Sequence, residues 1–398
     1  MRVAILTFPR TYNHGATLQC YALSKYVESL GNESVIINIP LKSTDVHQKK
    51  NRSLQYIIKQ FPRYIFNKIK VFVRSNIIKD SIYYQTPLTT EQKKILLDAD
   101  RENMKLFDLF RSAYFKNFTE EYITEDDFLK AYPEADAYIV GSDQVWNLEI
   151  TRTQYPIFFF SFVKGNAKII SYAASIGGNV NFQYTDAQYE NIARLLSRFN
   201  AISVRDSYSS IILKDKFKIN PVEVLDPTFL VPKQLYFDIA KVSSLDTSGH
   251  IYCFKFIINK HWEKVIDKLS SNLGLPVRMD NNVIPTNKYE YKPVCDVPDW
   301  LRLIQTSDFI MTDSFHCMVF CILFKKEFII LPSYRGGEGR MVDLARKLGL
   351  DDRYFASPES FLKDTRDWKK EHIDYNNVYR LLVPMIDYSQ GFLKQHLQ

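Results

Sequence analysis

Four short polar motifs each follow a short apolar run, and each holds residue types that could do chemistry. Thr312-Asp313-Ser314-Phe315-His316-Cys317 joins a carboxylate, a hydroxyl and an imidazole. Ser314 can cap a following helix, which puts His316 in the first turn. There the positive helix end disfavours an extra proton on the ring unless an anion or Asp313 lies close. Ser203-Val204-Arg205-Asp206 carries an arginine that suits an anion clamp through its planar fork, or an ordinary ion pair. Asn13-His14-Gly15-Ala16-Thr17 could open a helix whose free N–H groups hold an anion, or be a plain N-cap with a tight turn. Gly141-Ser142-Asp143-Gln144-Val145-Trp146-Asn147 reads by itself as a turn. Neither dinucleotide nor P-loop glycine fingerprints occur. The five cysteines (Cys20, Cys253, Cys295, Cys317, Cys321) are scattered with no C-x-x-C, so reduced, buried thiols are expected rather than a disulfide framework or a metal site.

The elements that must position these motifs follow from periodicity. Strands are expected over 3–8, 34–39, 137–140, 168–173, 201–204 and 222–225, with helices over 15–30, 91–118, 186–199 and 207–214 between them. After Asp226-Pro227-Thr228 the rhythm restarts, with strands over 251–256, 276–279, 309–312 and 327–331 and helices over 261–273, 298–306, 315–324 and 341–348. Strands that are continuous apolar runs indicate sheets covered on both faces. The expected fold is therefore α/β: two Rossmann-like, doubly wound domains facing a cleft, 1–230 and 231–398, with a helical insertion at about 42–118 and terminal helices in the second domain. The hinge is placed at Val231-Pro232. Every motif then ends a strand, where such sheets bind ligands.

The chain has 398 residues, 46% of them hydrophobic and 24% charged, with a formal net charge of +7. That size suits more than one domain, and the balance excludes global disorder. The positive excess is local: from Lys42 to Lys79 ten basic residues face one acid, Asp45. Apolar residues interleave there at helical spacing, with Pro62 interrupting. Such a stretch can be a packed insertion with a solvated basic face, or can touch an anionic membrane surface or a phosphate-bearing acceptor. Nucleic acid is not an expected partner, because no recognition module accompanies the charge. No apolar run suits a spanning helix, and the N-terminus lacks the pattern of a secretory signal, so a cytoplasmic location is expected, peripheral to the membrane if the basic stretch binds it.

Taken together, Asn-His-Gly-Ala-Thr-Leu-Gln (13–19), Val-Gly-Ser-Asp-Gln-Val-Trp-Asn (140–147), Ser-Tyr-Ala-Ala-Ser-Ile-Gly (171–177), Ser-Val-Arg-Asp (203–206), Val-Leu-Asp-Pro-Thr-Phe-Leu (224–230) and Thr-Asp-Ser-Phe-His (312–316) resemble the polysaccharide pyruvyl transferase family. The chain departs from that pattern at Cys317, where the family usually has glycine, and at His14, where an aromatic is commoner. The resemblance implies a glycosyltransferase-B-like architecture, phosphoenolpyruvate as donor substrate, no cofactor and no metal, and a glycan, nucleotide-sugar or lipid-linked sugar as acceptor. On its implication His316, Arg205, Asp143 and Asp313 are catalytic, with the two aspartates as bases. Ser175, Arg205, Ser314 and His316 would bind the donor, and Asn13, His14, Gly15, Ser142 and Gln144 the acceptor. The alternatives are a nucleotide-sugar glycosyltransferase of the same fold and a non-catalytic glycan-binding or scaffold protein.

Overall fold

The structure, a computed structural model, describes residues 1–40, 88–177, 184–245, 248–255, 260–280, 288–332 and 338–398. The basic stretch 42–79 lies outside the described residues.

The first sheet has seven parallel strands in the order β3-β2-β1-β4-β5-β6-β7: β1 (Arg2–Leu6), β2 (Glu33–Asn38), β3 (Phe118–Glu121), β4 (Ala137–Val140), β5 (Lys168–Ala174), β6 (Ala201–Val204) and β7 (Val222–Glu223). The second has five, also parallel, in the order β10-β9-β8-β11-β12: β8 (Ile251–Phe254), β9 (Val277–Met279), β10 (Glu290–Tyr291), β11 (Phe309–Thr312) and β12 (Glu327–Ile330). The central strands β4, β8 and β11 are buried at every residue, as continuous apolar runs require when helices cover both faces. Two doubly wound Rossmann-like domains, as expected, therefore make up the molecule.

The strand orders locate the chemistry. In the first sheet the order reverses between β1 and β4, and in the second between β8 and β11. Loops leaving such adjacent strands diverge to opposite faces and open a crevice at the carboxyl edge. Gly15 and Asp143 follow the first pair of strands, and Lys255 and His316 follow the second.

Two helices hold the frame differently from the sequence reading. Helix α1 (His14–Ser29) and α2 (Thr90–Tyr114) form as expected, α2 starting at a Thr89/Gln92 capping box. The helix expected to reach 118 stops at Tyr114, because the residues beyond it pair as the edge strand β3. After α3 (Asp186–Leu196), α4 (Ser207–Phe217), α5 (Gln234–Ala240), α6 (Lys260–Leu273), α7 (Val297–Thr306), α8 (Phe315–Leu323) and α9 (Glu338–Lys347), the chain ends in α10 (Tyr375–Leu397). Helix α10 returns to the first domain: Ser389 Oγ accepts from Leu225 N, Gln390 Nε2 donates to the Leu230 carbonyl, and Lys168 Nζ donates to the His396 carbonyl. The last helix thus packs on residues that precede 231. Leu382, Phe392 and Leu393 of α10 join one buried core that also holds Val3, Trp300 and Phe320, so apolar packing is continuous between the domains.

Candidate active site at the facing strand ends

Arg205, the residue after β6, is the centre of the site, with a side chain only 1% exposed. Its Nη1 donates to Asp226 Oδ2 at 2.7 Å and to Ser142 Oγ at 3.3 Å. Its Nη2 donates to Asp143 Oδ1 at 3.2 Å. His316 comes from the other domain to meet it, with Nε2 lying 3.5 Å from both Arg205 Nη1 and Asp226 Oδ2. The guanidinium sits over the Phe315 ring at 4.5 Å, and that of Arg340 approaches the same ring at 5.7 Å and Asp143 Oδ1 at 3.9 Å.

The charges in this cluster shift one another. Burial alone would raise the Asp226 carboxyl, but the hydrogen bond and charge of His316, then of Arg205, outweigh it and hold the group far below the usual carboxylate range. Asp143 behaves in the same way: burial opposes its ionisation, and Arg205, His316 and Arg340 together overcome that. Arg340 is pushed down to about 10, first by burial and then by the like charge of Arg205. Arg205 Nε is buried and has no acceptor among the described residues. Two crowded guanidiniums and an orphan N–H are what an incoming anion would relieve.

Each backbone segment is shaped for this meeting. Asn13 caps α1 by accepting from Ala16 N, and Ser314 caps α8 by accepting from Cys317 N. Gly15 is required because a Cβ there would fall 2.2 Å from His316 Cγ: the imidazole lies directly on the α1 backbone. Asp226 is fixed through Oδ1, which accepts from the N–H and hydroxyl of Thr228, while Ser389 of α10 holds the preceding N–H.

Of the residues expected to be catalytic, Arg205, His316 and Asp143 come together. Asp313 does not join them as a base. Its side chain is fully buried, with Oδ2 3.0 Å from Lys255 Nζ, which also donates to the Pro332 carbonyl. Ser175, wholly buried, donates to Asp206 Oδ2 at 2.6 Å and accepts from Gly177 N within a turn. Ser142, 0% exposed, is spent inside the Arg205–Asp226 network and does not present itself to an acceptor. Gln144 Oε1 accepts from Asn147. His14 is taken up by the domain seam: its ring stacks on Trp300 at 5.2 Å and its Nε2 lies 2.8 Å from the Cys295 carbonyl. Burial, only partly offset by that carbonyl, lowers the His14 pKa to about 4.

Three contributors escaped the sequence reading. Asp226 stood within the Val-Leu-Asp-Pro-Thr-Phe-Leu stretch (224–230) with no role of its own. Arg340 stands just before the stretch expected to begin α9. Lys255 gave no signal beyond ending an apolar strand, where a buried cation is rare unless paired.

A buried cluster of paired charges at the facing carboxyl edges of two parallel sheets goes with a two-domain, glycosyltransferase-B-like α/β fold. The sequence matches the polysaccharide pyruvyl transferase family over residues 13–333, and the chain belongs to that family. No curated protein matches the sequence. Solved structures of similar outline include UDP-GlcNAc 2-epimerase from Neisseria meningitidis bound to UDP-GlcNAc, 11% identical over 100% of this chain and 94% of that one, with a TM-score of 0.46. The UDP-GlcNAc 2-epimerase from Methanocaldococcus jannaschii is 10% identical over 98% and 100%, at 0.44. UGT89C1 from Arabidopsis thaliana is 8% identical over 100% and 99%, at 0.48. These likenesses are distant, and the fold assignment rests on the strand orders themselves. Among the described residues no helix is long and apolar enough to cross a membrane.

Proposed function

We propose that the protein transfers the enolpyruvyl group of phosphoenolpyruvate to two hydroxyls of a sugar, forming a pyruvate ketal in cell-surface polysaccharide assembly. The observation that carries this reading is the Arg205–Asp226–His316 cluster with Arg340 beside it, since the donor brings a phosphate and a carboxylate. Arg205, through its unpartnered Nε, and Arg340 bind those anions. In the reaction a proton adds to the methylene carbon, which leaves cationic character at C2. One sugar hydroxyl bonds to C2 and gives up its proton, the C2–O bond to phosphate breaks, and a second hydroxyl closes the ketal with loss of its proton. His316 is placed to deliver the first proton and to receive one from a hydroxyl, and Asp143 is the second base. Asp226 keeps Arg205 and His316 oriented.

The test is incubation with phosphoenolpyruvate and a panel of nucleotide- and lipid-linked sugars. Phosphate release and the mass gain of a ketal are expected with at least one acceptor. Neither product with any acceptor, together with protection from thermal unfolding by a nucleoside diphosphate sugar alone, would favour glycosyl transfer instead.

A further inference from the structure

A second cavity, of about 390 Å³, lies on the other side of the α1 N-terminus from His316. Asn13 and His14 line it, whereas the next residue, Gly15, carries the His316 ring. The end of β8 divides in the same way: Phe254 faces this cavity, and Lys255 braces the His316 loop. The two chambers are thus separated by single residues of shared elements.

The cavity holds polar groups that the protein leaves unmet. Asp280 is 3% exposed, and its Oδ2 accepts from the Tyr252 hydroxyl at 2.6 Å. Burial raises the Asp280 pKa to about 6, only partly offset by the Tyr252 hydroxyl and the Cys295 thiol. Among the described residues neither Asp280 Oδ1 nor the buried Tyr291 hydroxyl has a hydrogen-bond partner. An unmet buried oxygen forfeits a hydrogen bond it would make to water, so a ligand supplying a donor there is favoured. Tyr12, Phe107, Phe254 and Tyr291 provide aromatic walls. Among the described residues, the charged side chains that line the cavity are Asp100 and Asp280, both acidic, which disfavours phosphate and carboxylate groups there.

We propose that this cavity is a subsite for a neutral sugar ring of the acceptor, one unit removed from the ring that receives the pyruvyl group, with Asp280 and Tyr291 reading its hydroxyls. Aromatic walls take the apolar face of a sugar ring, the unmet oxygens take its hydroxyls, and the acidic rim keeps the anionic donor in the Arg205 chamber. This rests on the pyruvyl-transfer reading only for the word acceptor. Sugar binding here can be measured without any reaction.

The experiment follows binding of lactose, cellobiose and maltose to the whole chain by saturation-transfer NMR, and phosphoenolpyruvate affinity by thermal shift. At least one disaccharide should bind the parent protein. Tyr291→Phe should weaken it about tenfold and Asp280→Asn at least as much, with phosphoenolpyruvate affinity unchanged. Tyr291→Phe removes a hydroxyl without a partner, so its melting temperature should not fall, and lost affinity cannot be ascribed to misfolding. The proposal is overturned if no disaccharide binds the parent, or if Tyr291→Phe binds as tightly as the parent. Disaccharide binding lost in Tyr291→Phe, in a protein that releases no phosphate from phosphoenolpyruvate, would remove the pyruvyl-transfer reading and keep the sugar subsite.

Discussion

Arg205–Asp226 and Lys255–Asp313 are buried ion pairs at matching ends of two parallel sheets, yet they do opposite work. Side-chain exposure is 1% and 0% in the first pair and 0% and 0% in the second. Around Arg205 the neighbours are a second carboxylate, a serine, a histidine from the other domain and a second arginine, and Nε remains unmet. Lys255 is closed off: its ammonium meets Asp313 and the Pro332 carbonyl and lies 4.1 Å from the centre of the Trp262 ring. One pair keeps an unmet donor among the described residues, as the proposed donor site requires. The other ties together the ends of β8, β11 and β12, so that Ser314 and His316 leave β11 in a fixed direction. A buried pair at a strand end is therefore not by itself a sign of chemistry; the unmet donor is what separates them.

The largest expected effect tests that division. Lys255→Met should cost about 3–5 kcal/mol in urea unfolding, because it strands Asp313 as an uncompensated buried charge. Lys255→Met with Asp313→Leu should recover most of the loss, since apolar replacement of a whole buried pair is often neutral. Arg205→Met with Asp226→Leu should recover less, because Asp143 also loses Arg205 as its partner, and the folded protein should show no phosphoenolpyruvate affinity by thermal shift. If the double variant at Arg205 still binds the donor, the cluster is structural and the contrast between the two pairs collapses.

The seam between the two pairs should show itself in pH. His14 has a pKa of about 4 when folded, against about 6.5 in an unfolded chain. Between those values the unfolded state takes a proton that the folded state refuses, so stability is complete above pH 6.5 and declines toward pH 4. The His14 share is about 3 kcal/mol. Buried His250, also lowered to about 4 by burial first and then by Arg278 and Lys326, declines over the same range. His14→Phe keeps the stack on Trp300 and cannot be protonated, so chemical unfolding across pH 4 to 7 should show a shallower slope than the parent. An unchanged slope would mean that His14 carries its charge inside the fold.

Where sequence and structure agree, the reason is local. Strands β4, β6 and β11 lie over the residues expected for them because each is a short apolar run ended by a polar turn. Arg205, Asp143 and His316 were legible because each stands at the end of such a strand. The residues whose side chains are taken up by distant partners share a different property. Nothing in a serine's own neighbourhood says that Asp206, 31 residues on, will take the Ser175 hydroxyl. Nor does anything near Asp313 announce that Lys255, from a strand that becomes its neighbour only in the folded sheet, will neutralise it. The return of α10 was hidden for the same reason, since its partners Leu225 and Leu230 lie far back in the sequence. Side chains near strand ends were readable by position, whereas their occupancy was set by partners that only the fold supplies.

A tighter probe acts on geometry and leaves charge alone. Gly15→Ala puts a Cβ where His316 Cγ already lies 2.2 Å away, and the ring must move off Arg205 and Asp226. Turnover should fall about a hundredfold, as expected for a displaced acid–base group, with affinity for phosphoenolpyruvate less affected. His316→Ala should fall as far, and the double variant no further, because both changes remove the same group. Additive losses would show that Gly15 matters for something other than seating His316.

The smallest effect expected concerns Cys317, where this chain departs from the family's usual glycine. That position could be thought to regulate access beside His316, but Cys317 is 0% exposed and belongs to the core that joins the two domains. It stands one turn before Cys321 on α8, among residues of that helix that are all buried. Cys317→Gly should therefore cost about 1–2 kcal/mol, from the poorer helix propensity of glycine and the space left in the core. Turnover at saturating substrate should stay within about twofold of the parent. Cys317→Ala separates the two causes, because it restores helix propensity and keeps most of the cavity, so its loss should be about 1 kcal/mol smaller. A glycine variant with several-fold higher turnover would mean that the first turn of α8 limits the motion of His316. The second-domain end of the site would then be less rigidly held than the Lys255–Asp313 pair implies.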